Sequence, residues 1–276
     1  DPSLQRALAA ELSCPDSTAP CSPDLAAAAL PYVREGGFLG FEVASRSGQL
    51  RRGSLRTSGF SQLPAALVEA LSERRGQPVA FAALKVAGTP RAILLVPVPD
   101  AAEATLVFSL AMSRWTPPLQ AARPGKRGET YAFDRHGRML SESRFTAQLQ
   151  REGLLPVDAG GSTFGFELRD PGGDLAQGYK PATPRREQPR TRMAAAAIRG
   201  ESRVTLEAYR NYRGVLVVGA YRFFPEFGLG IACELDEATA FETVSTLQMM
   251  LKGLVAAFLL TAFALLGSAA LSARMR

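Results

Sequence analysis

The chain has 276 residues, of which 46% are hydrophobic and 21% charged, and its formal net charge is +6. That hydrophobic content excludes wholesale disorder, and the length allows two ordinary domains beside a membrane segment. The basic residues are dispersed with no long Lys/Arg run, so nucleic acid is not an expected partner; with one histidine and no Cys-x-x-Cys pair, neither is a structural metal.

Pro2 to Leu12 carries Leu4, Leu8 and Leu12 at one-face helical spacing and reads as the end of a helix. Residue 1 is Asp and no signal peptide is present, so the sequence is expected to be a piece of a longer protein. Cys14 and Cys21 lie in the turn-rich stretch SCPDSTAPC. A disulfide there would close about eight residues and restrict the unfolded chain by roughly 2.5 kcal/mol in the entropy model. It would also require an oxidising compartment. Cys233, in GLGIACEL, is most simply a buried small residue.

Pro23 opens a second helix that Gly36 and Gly37 stop. Two short strands, Phe38 to Ser45 and Leu50 to Thr57, flank the turn SRSG. Ser61 can cap a helix with Leu63, Ala66, Leu67, Ala70 and Leu71 on one face. Strands at Val79 to Val86, Arg91 to Val98 and Glu103 to Met112 complete a small α+β unit. Arg56 and Arg91 lie on or beside these strands, where a guanidinium can face a ligand pocket.

The pattern restarts at Thr130. A strand at Thr130 to Phe133, the turn Asp134 to Gly137, a return strand Arg138 to Ser141 and a helix at Phe145 to Gln150 are expected. Residues 156 to 189 are rich in Gly and Pro and read as a long irregular insertion. In and just after it, Arg185, Arg186, Arg190 and Arg192 read as a solvated loop, with phosphate or anionic lipid as the alternative contact. A helix at Arg190 to Ile198, a hairpin around NYRG and a last strand, Gly228 to Leu235, make a second α+β unit.

From Asp236, a reasonable N-cap, the sequence predicts one unbroken helix to Ala273. Its part from Gly253 to Ala273 has no charge and no proline. Its rise is roughly 31 Å, against a hydrocarbon core of about 30 Å. Arg274 and Arg276 follow it and Lys252 precedes it, so the positive-inside bias puts residues 1–250 outside the cytoplasm.

Two segments, GETYAFDRHGRMLSESRF (Gly128 to Phe145) and NYRGVLVVGAYRFFPEFGLGIACELDEATAF (Asn211 to Phe241), carry a resemblance. In order, with a membrane helix directly after, they resemble the opening and closing hairpins of the membrane-proximal half of double Cache sensor domains. The insertion with LRDPGGD is similar to that of sensors attached to planctomycete-type kinases and cyclases. The resemblance covers residues 126 to 250; for residues 1 to 115 it is architectural. It implies two tandem PAS-like (Cache) units with antiparallel sheets. The expected divisions are an N-terminal helical segment (1–29), a membrane-distal unit (30–115), a membrane-proximal unit (126–238), a stalk (239–252) and a transmembrane helix (253–273). It further implies the sensor of a bacterial inner-membrane receptor, a homodimer in the lipid bilayer that passes binding of a small-molecule ligand to a cytoplasmic effector. A membrane-anchored ligand-binding or scaffolding ectodomain with no signalling output is the alternative. The tyrosine, arginine, tryptophan and aspartate constellation of amino-acid-binding Cache domains cannot be placed here, so an amino-acid ligand is not supported.

Catalysis has little to stand on. His136 sits at a turn tip, and no nucleophile-elbow or phosphate-cradling glycine pattern is present, so neither catalytic residues nor a cofactor are expected. Arg144 in SESRF can anchor a carboxylate in a pocket, or tie its strand to a neighbour by a salt bridge. The hairpin aromatics read mostly as core, with Tyr131 a candidate to line a cavity through its hydroxyl. The ligand site is expected in the membrane-distal unit, because the other core shows no polar cluster except near Arg144.

Overall fold

The computed structural model describes residues 6, 7, 10, 23–45, 50–51, 63–65, 67–68, 80–86, 88–97, 104–114 and 116–274. Cys14, Cys21 and Arg56, and with them the disulfide expectation, lie outside the described residues.

Helix α1 (Pro23–Glu35) places Leu25, Ala29 and Val33 on one face, packed on Phe41, Val43, Leu106 and Phe108. Gly37 takes φ +67°, and the N–H groups of Gly37 and Phe38 donate back to the Arg34 and Val33 carbonyls. This is the glycine-dependent helix stop that Gly36-Gly37 signals in the sequence. Strands β1 (Gly40–Ser45), β2 (Leu50–Arg51), β3 (Ala80–Val86), β4 (Thr89–Pro97) and β5 (Ala104–Ala111) form one antiparallel sheet, ordered β2-β1-β5-β4-β3. Alternation splits its side chains. Phe41, Val43, Leu94, Leu106 and Phe108 meet α1, whereas Ala44, Ile93, Leu95 and Val107 meet Leu63 and Leu67.

After α2 (Thr116–Ala121) a second antiparallel sheet begins, ordered β6-β9-β8-β7. Its strands are β6 (Gly128–Asp134), β7 (Arg203–Arg210), β8 (Leu216–Phe224) and β9 (Leu229–Asp236). The connection from β6 to β7 holds α3 (Thr146–Arg151) and α4 (Arg192–Ile198) and covers the inner face of the sheet. Leu149, Leu155, Phe166, Leu168, Met193 and Ala197 from it pack on Tyr131, Phe133 and Tyr221. The two sheets are separate ladders joined by an apolar seam, in which Ala92 and Met112 meet Ala132, Leu140 and Leu229.

The return strand expected at Arg138 to Ser141 shrinks to isolated bridges, Phe133 with Met139 and Arg138 with Glu167. Asp134 is the cause of the tight turn: its carboxylate accepts from His136 N, Arg138 N and Arg138 Nε at 2.7–2.9 Å. The chain is then drawn toward the insertion, where Met139 bonds Phe166 and Phe164 through the backbone. Within the insertion Arg185 departs from the solvated-loop expectation. Its guanidinium donates to the Glu167 and Tyr212 carbonyls, and burial lowers its pKa to about 10, so it stays charged at neutral pH. Arg186 and Arg192 are exposed and pair with Glu187 and Glu207.

The unbroken helix expected from Asp236 is interrupted. A single turn, α5 (Glu237–Ala240), ends at Phe241, whose φ of −106° and ψ of 10° leave the helical region, and α6 (Glu242–Arg274) follows. The short turn is docked on β8 and β9, whereas α6 packs mainly on that turn, so the junction falls between them. Asp236 holds the N-cap position without capping, because its carboxylate is taken by Arg213 at 3.2 Å. Over Glu242–Thr261 the helix has a mean hydropathy of 1.5 and 0% buried, which is long and apolar enough to cross a membrane.

The β7–β8 turn is set by backbone demands. Asn211 Oδ1 accepts from the Arg213 and Val215 N–H groups. Gly214 takes φ +79°, and a Cβ there would lie 1.8 Å from the Gly173 carbonyl oxygen. G214A therefore combines left-handed strain with a backbone clash, and it should lower the unfolding free energy in urea by more than about 1 kcal/mol.

Candidate functional site

Two buried polar clusters stand out, one in each unit. In the first sheet, the face carrying Ile93, Leu95 and Val107 also carries Glu42, Arg91 and Ser109 by strand alternation. Register brings them to one end of the sheet: Ser109 lies opposite Ile93 and Gly40, Arg91 opposite Ala111, and Glu42 opposite Val107. Glu42 and Ser109 are each 2% exposed. Ser109 Oγ and the Arg91 Nε and Nη1 are buried and make no hydrogen bond. Leaving a buried donor unmade costs about 1–3 kcal/mol, and three polar atoms in this condition lie on this one face. The guanidinium can hold a carboxylate or another acceptor, while Ile93, Leu95 and Val107 offer an apolar wall.

The second cluster fills the core of the other sheet. Pairing of β6 with β9 sets Glu129 directly opposite Glu234, and the two are 5% and 3% exposed. Glu129 is fully engaged. It accepts from Ser143 Oγ at 2.6 Å, from Arg144 N at 2.9 Å and from the Tyr212 hydroxyl. Burial raises its pKa, and the bonds from Ser143, Tyr212 and Arg144 oppose that rise. Glu234 has weaker support: its oxygens have only the Tyr131 and Tyr209 hydroxyls beside them, short of good hydrogen-bond geometry. Burial pushes Glu234 up to about 7; the nearby Tyr209 and Tyr131 hydroxyls lower it, and Glu129 raises it. Burial raises the pKa of Tyr131, Tyr209 and Tyr212, which therefore stay neutral donors.

Gly219 makes room for this arrangement. It pairs with Glu234, and a Cβ on it would meet the Tyr209 hydroxyl at 3.0 Å and the Cys233 carbonyl at 2.5 Å. Arg213 closes the cluster toward the stalk. Its guanidinium stacks 3.6 Å above the Phe145 ring and bonds Asp236 at 3.2 Å, with side chains 6% and 12% exposed. An open groove of about 670 Å³ runs past this pair, lined by Arg127, Gln148, Arg210 and Glu237 among others.

The residues singled out in the sequence do not come together. Arg91 belongs to the first cluster, and Tyr131 is fully buried in the second. Arg144 lies at the edge of the second, where Nη1 donates to the Gly128 carbonyl at 2.6 Å and the guanidinium faces Phe145. It ties the start of β6 to the chain after the turn, through a carbonyl rather than an ion pair. The expectation of a second core poor in polar groups fails, since Glu129, Glu234, Arg213 and Asp236 are all buried there. Their signal was present: in GETYAFD and GIACELD each glutamate sits in phase with inward residues, Tyr131 and Ala232. Among the described residues no group of three His, Cys, Asp or Glu could hold a metal ion.

If Glu129 is held by the Tyr212 hydroxyl, Y212F should cost about 2 kcal/mol of stability. In an E129Q background the same change should cost less, as a double-mutant cycle in urea would read.

Antiparallel sheets in series, each flanked by helices and followed by an apolar helix, define a tandem PAS-like α+β architecture. The extracellular domain assigned to the histidine kinase mmHK1S-Z3 matches it with a TM-score of 0.52 at 11% identity, covering 89% of this chain and 90% of that one. The ligand-binding domain of the Pseudomonas fluorescens chemoreceptor CtaA, solved with L-isoleucine, gives 0.48 at 13% identity, covering 87% and 83%. A domain of a sensory box/GGDEF family protein from Vibrio parahaemolyticus gives 0.47 at 10% identity, covering 84% and 85%. No protein-family profile and no curated protein sequence matches the chain. The chain therefore shares the tandem α+β fold of that extracellular domain.

Proposed function

We propose that this chain is the extracytoplasmic input domain of a bacterial inner-membrane receptor. It binds a small molecule on the first sheet and passes occupancy through α5 and α6 to a cytoplasmic effector. The single observation that carries this reading is the set of buried, unbonded donors on Arg91 and Ser109 beside an apolar wall. The similar structures are sensor domains rather than catalytic ones. The apolar, unburied helix α6 fits a bilayer span, with residues 1–250 outside the cytoplasm. Two copies side by side would pair their stalks and offer two arrangements for a ligand to choose between.

A ligand that fits the face carries an acceptor, such as a carboxylate or carbonyl, on an apolar body. A thermal-shift screen of organic acids, amines and nucleobases on the full chain in detergent should find stabilising compounds. R91A should abolish the shift, a loss of affinity of at least tenfold or about 1.4 kcal/mol, while R144A retains it. Loss of the shift in R144A with R91A unaffected would move the site to the second unit and contradict the reading.

A further inference from the structure

Glu234 is a buried carboxyl attended only by the Tyr131 and Tyr209 hydroxyls, and it lies two residues before Asp236. We propose that the opposed pair Glu129 and Glu234 is a proton-responsive switch that decides whether Arg213 holds Asp236 at the head of the stalk.

The geometry supplies two arrangements. In the one observed, Glu129 has three well-formed donors and Glu234 only two loosely placed hydroxyls, as suits one ionised and one protonated carboxyl across a strand pair. Loss of the proton from Glu234 sets two carboxylates side by side in the core. Three donors are at hand: the Tyr131 and Tyr209 hydroxyls, already beside Glu234, and Arg213, whose buried Nε has no partner. Arg213 is the only charged donor among them, and its attraction already lowers Glu234. Drawn toward the pair, it leaves Asp236. That aspartate already holds the N-cap position of α5, and once released its carboxylate can cap the turn that leads to α6.

The surroundings of Glu234 can be named from every side. From β6 come Glu129 and Tyr131, and from β7 Tyr209. Gly219 faces it from β8, with Tyr221 farther along beside Tyr209. The β7–β8 turn brings Tyr212 and Arg213, and its own strand has Cys233 and Asp236. Helix α4 contributes Met193 and alanines to this core. A carboxyl pushed up to about 7 keeps its proton in the fold at pH values where the unfolded chain, near 4.5, has lost it. The associated stability is complete below about pH 4.5 and is lost as pH rises through about 7. The switch itself operates around pH 7, where Glu234 gives up its proton within the fold.

The test is amide hydrogen exchange on the full chain in lipid nanodiscs, reading residues 237–248 at pH 6 and pH 8 after correction for intrinsic exchange. Wild type should change protection severalfold between the two, E234Q should show the acid pattern at both, and D236N should remove the dependence. E234Q should also melt higher than wild type at pH 8 and equal it at pH 4.5. Equal protection at both pH values in wild type, or an unaltered dependence in E234Q, would overturn the proposal. Should E234Q not fold, the carboxyl carbon shifts of ¹³C-glutamate-labelled wild type decide: one glutamate titrating between pH 6 and 8 supports the switch, and all titrating below pH 5.5 overturns it. The output rests on the stalk reading of α5 and α6. Ligand binding at Arg91 is read separately by thermal shift, so either can fail alone.

Discussion

A charge removed from water must be met by a partner, and the second unit is built around that requirement. The β6–β9 register forces Glu129 against Glu234 in a sheet core, and the turn Asn211–Gly214 answers it. Tyr212 bonds Glu129, Arg213 bonds Asp236, and the carbonyls of the same two residues accept from Arg185 and from Leu175 N. Strand, hairpin turn, insertion and stalk therefore converge on four residues. The close approach of Gly214 to Gly173 follows from the same convergence, since the turn is pressed against the insertion.

The first unit is organised differently. Both faces of its sheet are covered by apolar packing, and its polar residues gather at one end without the dense bonding of the second unit. Arg91 and Ser109 keep unspent donors, while Glu129 in the other core is fully bonded. The seam from Ala92 and Met112 to Ala132, Leu140 and Leu229 is the contact by which one can strain the other.

Much of this was legible in the sequence. The Gly36-Gly37 stop, the NYRG turn and the strand restart near Thr130 use local chemistry that survives folding unchanged, and the elements fall close to where they were expected. The insertion was read correctly as irregular, yet Arg185 was misplaced there, because its carbonyl acceptors come from residues 18 and 27 positions away. Helix continuity through Phe241 was also misjudged. Propensity favours one helix, but docking of the first turn on β8 and β9 is a tertiary effect. Glu129 and Glu234 were visible only as charges in phase with inward residues, and their pairing needs the β6–β9 register, which no local pattern supplies.

Transmission from the Arg91 face to the stalk is the central claim, and disulfide cross-linking in membranes tests it most directly. Single cysteines placed in turn from Thr239 to Gln248, in the full chain, should cross-link between two copies with a period near 3.6 residues. Adding a compound that stabilises the wild type but not R91A should move the maxima along the helix. A flat profile, or one that the compound leaves in place, would make α5 and α6 a tether and contradict the account.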